Sequence, residues 1–204
     1  MQEPSMRSLG VLLAVALLLL TPPIELAARQ KITPGTPRDQ VREMNPADVD
    51  ASDLPLDPIS SLHVTGAPQD VDLAKWRLAL SGAGLVSPKA LTYQDLQGMP
   101  TVTRRAILIC PGVFADYAEW QGVPLEAVLA RAGLSASWSR ISFVSLDGYQ
   151  EQFTRDEVHS HLLFLALKVN GQVLPRDHGF PIRLVAVDLY GARWVKWIKE
   201  IRVE

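Results

Sequence analysis

The residues of this chain whose types and spacing could do chemistry are concentrated near its C-terminal end. Over Leu174-Pro-Arg-Asp-His-Gly-Phe-Pro-Ile-Arg183 and on to Trp197, four basic side chains, His178, Arg183, Arg193 and Lys196, stand among Gly and Asp turn residues. Pro181 to Val187 is an apolar, β-branched run bracketed by Asp177, Gly179, Asp188 and Gly191, so it reads as a buried strand with cations at or beside its ends. From Arg176 to Arg202 six Lys and Arg residues face three acidic ones, while the whole chain carries a formal charge of -2 with histidine neutral. The local field is therefore positive. Cations at strand ends and glycine turns suit a small anionic ligand better than a long polyanion. Without such a ligand the same residues are solvated strand-end charges and a turn histidine.

Other candidates lie upstream. The single cysteine, Cys110, excludes an intrachain disulfide and a Cys-rich zinc site. A lone thiol either fills a core or serves as a soft metal ligand. Asp147, in Val144-Ser-Leu-Asp147, and nearby Tyr149 read as turn chemistry or as ligand contacts, since a phenol can donate a hydrogen bond to an oxyanion. His159 and His161 are spaced to face one side of a strand, yet no third metal ligand accompanies them, and a solvated pair is the better reading. No Walker loop, Rossmann glycine pattern, nucleophile elbow or HExxH is present.

Several elements must position these groups. Lys75 to Leu80 alternates as a half-buried strand, and Thr92 with Asp95 forms a capping box for a short helix ending near Gly98. Thr101 to Ile109 alternates again and delivers Cys110 to a strand end, where Pro111 and Gly112 stop it. Trp120-Gln-Gly-Val-Pro-Leu125 leads into a helix with Pro124 in its first turn and Gly133 past its end. Arg140 to Ser145 reads as a strand, Thr154 with Glu157 as a second capping box, and Leu162 to Val169 with Asn170-Gly171 as half of a hairpin. The chain's 48% hydrophobic and 21% charged residues fit one domain of ordinary size, beginning near Pro58. The slightly acidic balance gives no general attraction for nucleic acid.

Taken together, Asp177-His-Gly-Phe-Pro-Ile-Arg183 and Gly191-Ala-Arg-Trp-Val-Lys-Trp197 resemble the molybdopterin-binding signature of the sulfite oxidase family, which includes the bacterial periplasmic methionine sulfoxide reductase catalytic subunit. Leu91-Thr-Tyr-Gln-Asp-Leu96 and the Trp-x-Gly-Val-Pro-Leu segment are similar to the family as well, so the likeness runs from about His63 to Glu204. The resemblance implies an α+β fold, mixed and mostly antiparallel, β-rich with short helices. It implies a molybdenum cofactor-dependent oxidoreductase in which Cys110 ligates the metal and Tyr149 stands in the active site. Asp147, His178, Arg183 and Lys196, with Arg193 beside them, would hold the pterin and its phosphate. His63 matches a family histidine, but Ser61 and Leu62 stand where the family has Arg and Asn. Pro111-Gly-Val-Phe114 likewise lacks the arginine that often follows the metal cysteine, which puts oxidation of sulfite itself in doubt. The alternative is a non-catalytic module of the same fold that binds a small anion or a protein partner.

The resemblance also implies a small-molecule substrate and a separate electron-transfer partner, because the family's haem and C-terminal dimerisation domains are not expected here. Arg7, the apolar run Leu9 to Leu20 and Thr21-Pro22-Pro23 read as a signal peptide over residues 1–28, or as an uncleaved membrane tether. Residues 29–57, rich in Pro and charge, read as a flexible linker. The expected location is the periplasm or another exported compartment. Only one arginine precedes the apolar run, whereas folded export uses a twin-arginine signal. Fractionation of cells expressing the full chain should recover the domain outside the cytoplasm; recovery in the cytoplasm with the N-terminal segment intact would defeat the export reading.

Overall fold

In the computed structural model of the chain, residues 28–204 are described, and the expected signal or tether over residues 1–28 lies almost wholly outside them. The strands are β1 (Gln30–Lys31), β2 (Val49–Asp50), β3 (Leu78–Ser81), β4 (Lys89–Leu91), β5 (Val102–Cys110), β6 (Phe114–Pro124), β7 (Arg140–Ser145), β8 (Gln150–Thr154), β9 (Leu163–Val169), β10 (Gln172–Val173), β11 (Arg183–Ala186) and β12 (Ile198–Val203). Four short helices join them: α1 (Arg38–Val41), α2 (Tyr93–Gln97), α3 (Leu125–Ala130) and α4 (Arg155–Ser160). One five-stranded sheet has the order β10-β9-β6-β5, with β11 also pairing β9; the other runs β4-β3-β12-β7-β8. Of the pairs within these two sheets, β12 with β3 is parallel and the others are antiparallel. The mixed, mostly antiparallel, β-rich α+β fold is the expected one. One apolar cluster draws Leu78, Leu80, Phe143 and Ile201 from one sheet and Leu108, Trp120, Phe164 and Leu184 from the other.

Local chemistry sets the element ends. Thr92 and Asp95 form the capping box that opens α2, and Thr154 and Glu157 form the one that opens α4. The Asn170-Gly171 hairpin joins β9 to β10. Three differences from the sequence reading have plain causes. Trp120 to Pro124 leads into α3 as expected, but as the paired end of β6, so that Pro124 is the N-cap of α3 rather than a first-turn residue, because β6 pairs with β9 along this stretch. The strand expected from Lys75 begins only at Leu78, where pairing with β4 starts, and β12 joins from Ala79. His159 lies in α4 and His161 is its C-cap, so strand alternation does not relate them; the His159 ring packs edge-on to Trp138.

The largest departure is at residues 29–57, expected as a linker. Successive residues of a strand point to opposite faces, and in β5 all four of Ala106, Ile107, Leu108 and Ile109 are buried. Ala106 and Leu108 join the main core, whereas Ile107 and Ile109 join Ala115 and Tyr117 under Ile32, Val41, Val49 and Leu54. A sheet that is apolar on both faces needs two covers. The N-terminal segment is the second cover, and Asp57 ties it down by accepting from the Tyr117 backbone N–H at 2.7 Å. Ile32→Ala should therefore lower the unfolding free energy by about 2–4 kcal/mol, the usual cost of truncating a buried aliphatic side chain. A urea midpoint unchanged from wild type would show that the segment acts as a linker after all.

Candidate active site

Loops and strand ends from both sheets converge on one cleft. Cys110 ends β5, and the register sets it opposite Phe114 at the start of β6. Alternation then puts Leu108 and Cys110 on the same side as Phe114, Asp116 and Trp120, all of which line a narrow inner pocket. Arg183, the first residue of β11, and Lys196, just before β12, reach the same pocket, as does His178 at the end of the short 3-10 helix Arg176–His178. An outer cleft of about 440 Å³ adjoins it, lined by Asp147, Tyr149 and Trp197; Thr65, Cys110, Gly191, Trp194 and Lys196 border both spaces.

Two glycines permit this convergence. Gly179 has φ of 110°, and a Cβ there would lie 3.0 Å from the Arg183 Cβ and 3.1 Å from the Lys196 Cβ. At Gly191 a Cβ would stand 2.6 Å from the Cys110 sulfur. Trp197, a bulky residue, adopts φ of 51°, a left-handed conformation held because its ring is buried and its indole N–H donates to the Arg176 carbonyl at 2.8 Å. Local strain of this kind persists only where surrounding packing over-determines it.

The electrostatics follow from burial. Arg183 is 6% exposed, and its guanidinium lies over the Trp120 ring at 4.8 Å and the Trp194 ring at 5.7 Å. It donates to the His178 carbonyl at 3.3 Å, but its Nε is buried without a partner. Burial pushes its pKa down to about 10, so it stays charged at neutral pH. Lys196 donates to the carbonyls of Thr65 and Asp177 and lies over the Trp197 ring. Burial, and then the Arg183 charge, push it down to about 8. The same two causes lower His178. Burial, followed by the nearby Asp116 carboxylate, raises the Cys110 thiol above its ordinary value, with Arg183 and Lys196 opposing. That thiol is not set up as a free nucleophile, which requires a depressed pKa.

The expected residues thus fall into two groups. Cys110, His63, His178, Arg183 and Lys196 meet at the inner pocket, and Asp147 and Tyr149 border the outer cleft. Tyr149 donates its hydroxyl proton to the Ala192 carbonyl at 2.8 Å. Arg193, expected beside the pterin, is instead bound to Glu151 at 3.2 Å and Glu157 at 2.9 Å and lies over the Phe153 ring. Two carboxylates and an aromatic face draw its guanidinium away from the cleft. Asp116 went unrecognised in the sequence, although Phe114-Ala-Asp116 carried a signal: on a strand, the two side chains share a face.

The oxidoreductase molybdopterin-binding domain family matches residues 64–204. The chain belongs to this family. It is 33% identical over 209 residues to mitochondrial sulfite oxidase of Mus musculus, an alignment covering 90% of this chain and 35% of that protein. It is 26% identical over 142 residues to the oxidoreductase YuiH of Bacillus subtilis, covering 69% of this chain and 71% of the relative. The chain thus spans about a third of the length of the sulfite oxidase and more than two thirds of YuiH. The sulfane dehydrogenase SoxCD of Paracoccus pantotrophus superposes with a TM-score of 0.62 at 24% identity, over 67% of this chain and 40% of that one, a likeness of fold.

The residues present fit a molybdopterin. Neither Arg183 nor Lys196 has a carboxylate within ion-pair distance among the described residues. Buried cations are ordinarily paired, and an anionic group in the cleft would complete them. The bare Arg183 Nε and the Trp120 indole N–H without a partner both suit a bound group. Competitive acylation should find Lys196 titrating near pH 8 rather than at the ordinary 10.5. The sign is fixed: between those values the unfolded chain holds a proton that the folded one lacks, so this lysine makes stability rise with pH across the window. Inorganic phosphate should move the titration upward, since an anion favours the protonated amine; a Lys196 that titrates at its ordinary value would contradict the cleft's electrostatics.

Proposed function

We propose that this domain is an exported, molybdenum cofactor-dependent oxidoreductase that carries out two-electron oxo transfer on a small molecule and exchanges electrons with a separate partner. The observation that carries the reading is the buried Arg183 guanidinium, which faces the Cys110 pocket without a counter-ion. His178, Arg183 and Lys196 would hold the anionic and polar edge of the pterin. Asp147 borders the outer cleft, where its carboxylate would accept from the pterin's N–H groups. Cys110 would give its sulfur to the metal, losing the proton that its raised pKa keeps on the free thiol. When bound, the molybdenum centre would supply the redox chemistry, either giving an oxo group to the substrate and taking two electrons or accepting an oxygen atom and giving two.

The protein's own share is binding and orientation. Trp120, Trp194 and Trp197 wall the site, which keeps water from the buried cations and strengthens their hold on an anion. Tyr149, its proton given to Ala192, presents its oxygen at the mouth of the cleft as an acceptor. Arg193 is left out of this set because its charge is already paired. Sulfite is disfavoured as substrate, since the pocket beside Cys110 carries the Asp116 carboxylate and the turn after Cys110 contributes no cation. Export rests on the composition of residues 1–28; among the described residues no helix is long and apolar enough to cross a membrane. The second reading, an anion-binding module without metal, draws support from the same carboxylate, which disfavours the thiolate.

Protein purified from its own compartment should contain molybdenum near one atom per chain and release a pterin on denaturation. Cys110→Ser should cut molybdenum retention at least about tenfold and change the metal's spectrum with the fold intact, because a hydroxyl is a harder, less acidic ligand than a thiol. Molybdenum far below stoichiometric, with no pterin released, would leave only the anion-binding module. A serine variant with the wild-type metal content and spectrum would reduce Cys110 to packing.

A further inference from the structure

A buried carboxylate in the inner pocket has one partner residue. Asp116 is 6% exposed, and the only side-chain hydrogen bonds of its carboxylate among the described residues go to His63. One oxygen accepts from the His63 backbone N–H at 2.7 Å; the other lies 2.7 Å from the ring Nδ1. Two residues earlier on the same face of β6, Phe114 stacks on the imidazole with centroids 4.5 Å apart and planes at 4°. The ring is thus fixed from one face and one edge, although its side chain is 55% exposed. A carboxylate buried for packing alone would be costly, and no arginine or lysine ion pair holds this one.

We propose that Asp116 is a positioning residue that holds His63 in the Nδ1–H form, with Nε2 turned into a hydrogen-bond acceptor for an N–H donor on the bound pterin. The inference rests on reading the cleft as the cofactor site. An ionised carboxylate has no proton to give, so the nitrogen facing it must be the donor, and in the neutral ring the other nitrogen then carries a lone pair. Nε2 has no partner among the described residues, and His63 lines the pocket that contains Cys110 and Lys196. The N-terminal part of the fold thereby contributes an oriented acceptor to a pocket otherwise dominated by donors.

Asp116→Asn separates this role from packing, because the two side chains have nearly the same shape. The amide has a single oxygen, and the His63 backbone N–H, which can only donate, takes it. The amide NH₂ then faces Nδ1, which must become the acceptor, and the ring proton moves to Nε2. Long-range ¹H–¹⁵N spectra of the imidazoles at about pH 8.5, well above the ordinary histidine pKa near 6.5, report the tautomer directly. His63→Ala assigns the signal among the four histidines.

The wild type should show Nδ1–H at His63 and the Asn variant Nε2–H. A wild type already in the Nε2–H form, or a variant that keeps the wild-type tautomer, overturns the proposal, and the first of these outcomes needs no variant to fold. Pterin retention should fall about tenfold in Asp116→Asn, the lower end of the losses typical when a ligand's orienting partner is removed. The same change added to His63→Ala should cost nothing more; additive losses would mean that Asp116 acts otherwise than through His63. If wild-type protein binds no pterin, the cofactor reading fails, while the tautomer still decides whether Asp116 positions the ring.

Discussion

The structure is organised around a positive charge that the protein buries without neutralising. Arg183 sits at the start of β11 against two indole rings that meet edge to face, Trp120 from β6 and Trp194 from the approach to β12. Cation–π contact offsets part of the desolvation cost, on the order of 2 kcal/mol in a dry site. One carbonyl takes a guanidinium hydrogen bond, and Nε takes none. Everything near this charge responds to it. Burial first and this charge second lower the proton affinity of Lys196 and His178, and at Cys110 the charge opposes the larger raising effects of burial and Asp116. Such a site is more stable with an anion than without, so ligand binding and folding stability are linked.

The second constraint is geometric. β5 is apolar on both faces over Ala106 to Ile109, so the sheet that carries Cys110 must be covered twice. The main core supplies one cover and residues 29–57 the other. After crossing the outer face, the chain continues into His63, Thr65 and Gly66, which form one wall of the cleft. Lys196 and Arg176 hold this wall by hydrogen bonds to the Thr65 and Pro68 carbonyls. The segment that completes the core therefore also completes the site, which explains why the site borrows groups from both ends of the chain.

Much of this was legible in the sequence because it depends on local chemistry. The capping boxes at Thr92 and Thr154, the strand delivering Cys110, the Asn170-Gly171 turn and the strand beginning at Arg183 follow from periodicity and turn residues acting over a few positions. The paired blocks around His178 and Lys196 carried the family, and five of the eight expected site residues meet at the inner pocket, with two more bordering the outer cleft. The misreadings were of another kind. Residues 29–57 looked like a linker because their apolar residues are too sparse to suggest a core face. They need not form one alone, since Ile107, Ile109 and Tyr117 supply the remainder.

What the tertiary structure alone decided is which charges are compensated. Arg183 and Arg193 are both arginines beside turns in the same positive stretch, and nothing local separates them. The fold sets Arg193 against two glutamates from β8 and α4 and sets Arg183 against two indoles. Asp116 and His63 are 53 positions apart, too far for any spacing rule, and they meet because the N-terminal segment wraps back over β6. Sequence determines the type of each element and the chemistry each residue can offer, since both depend on near neighbours. Pairing of charges depends on long-range packing, and that is what separates a binding residue from a structural one here.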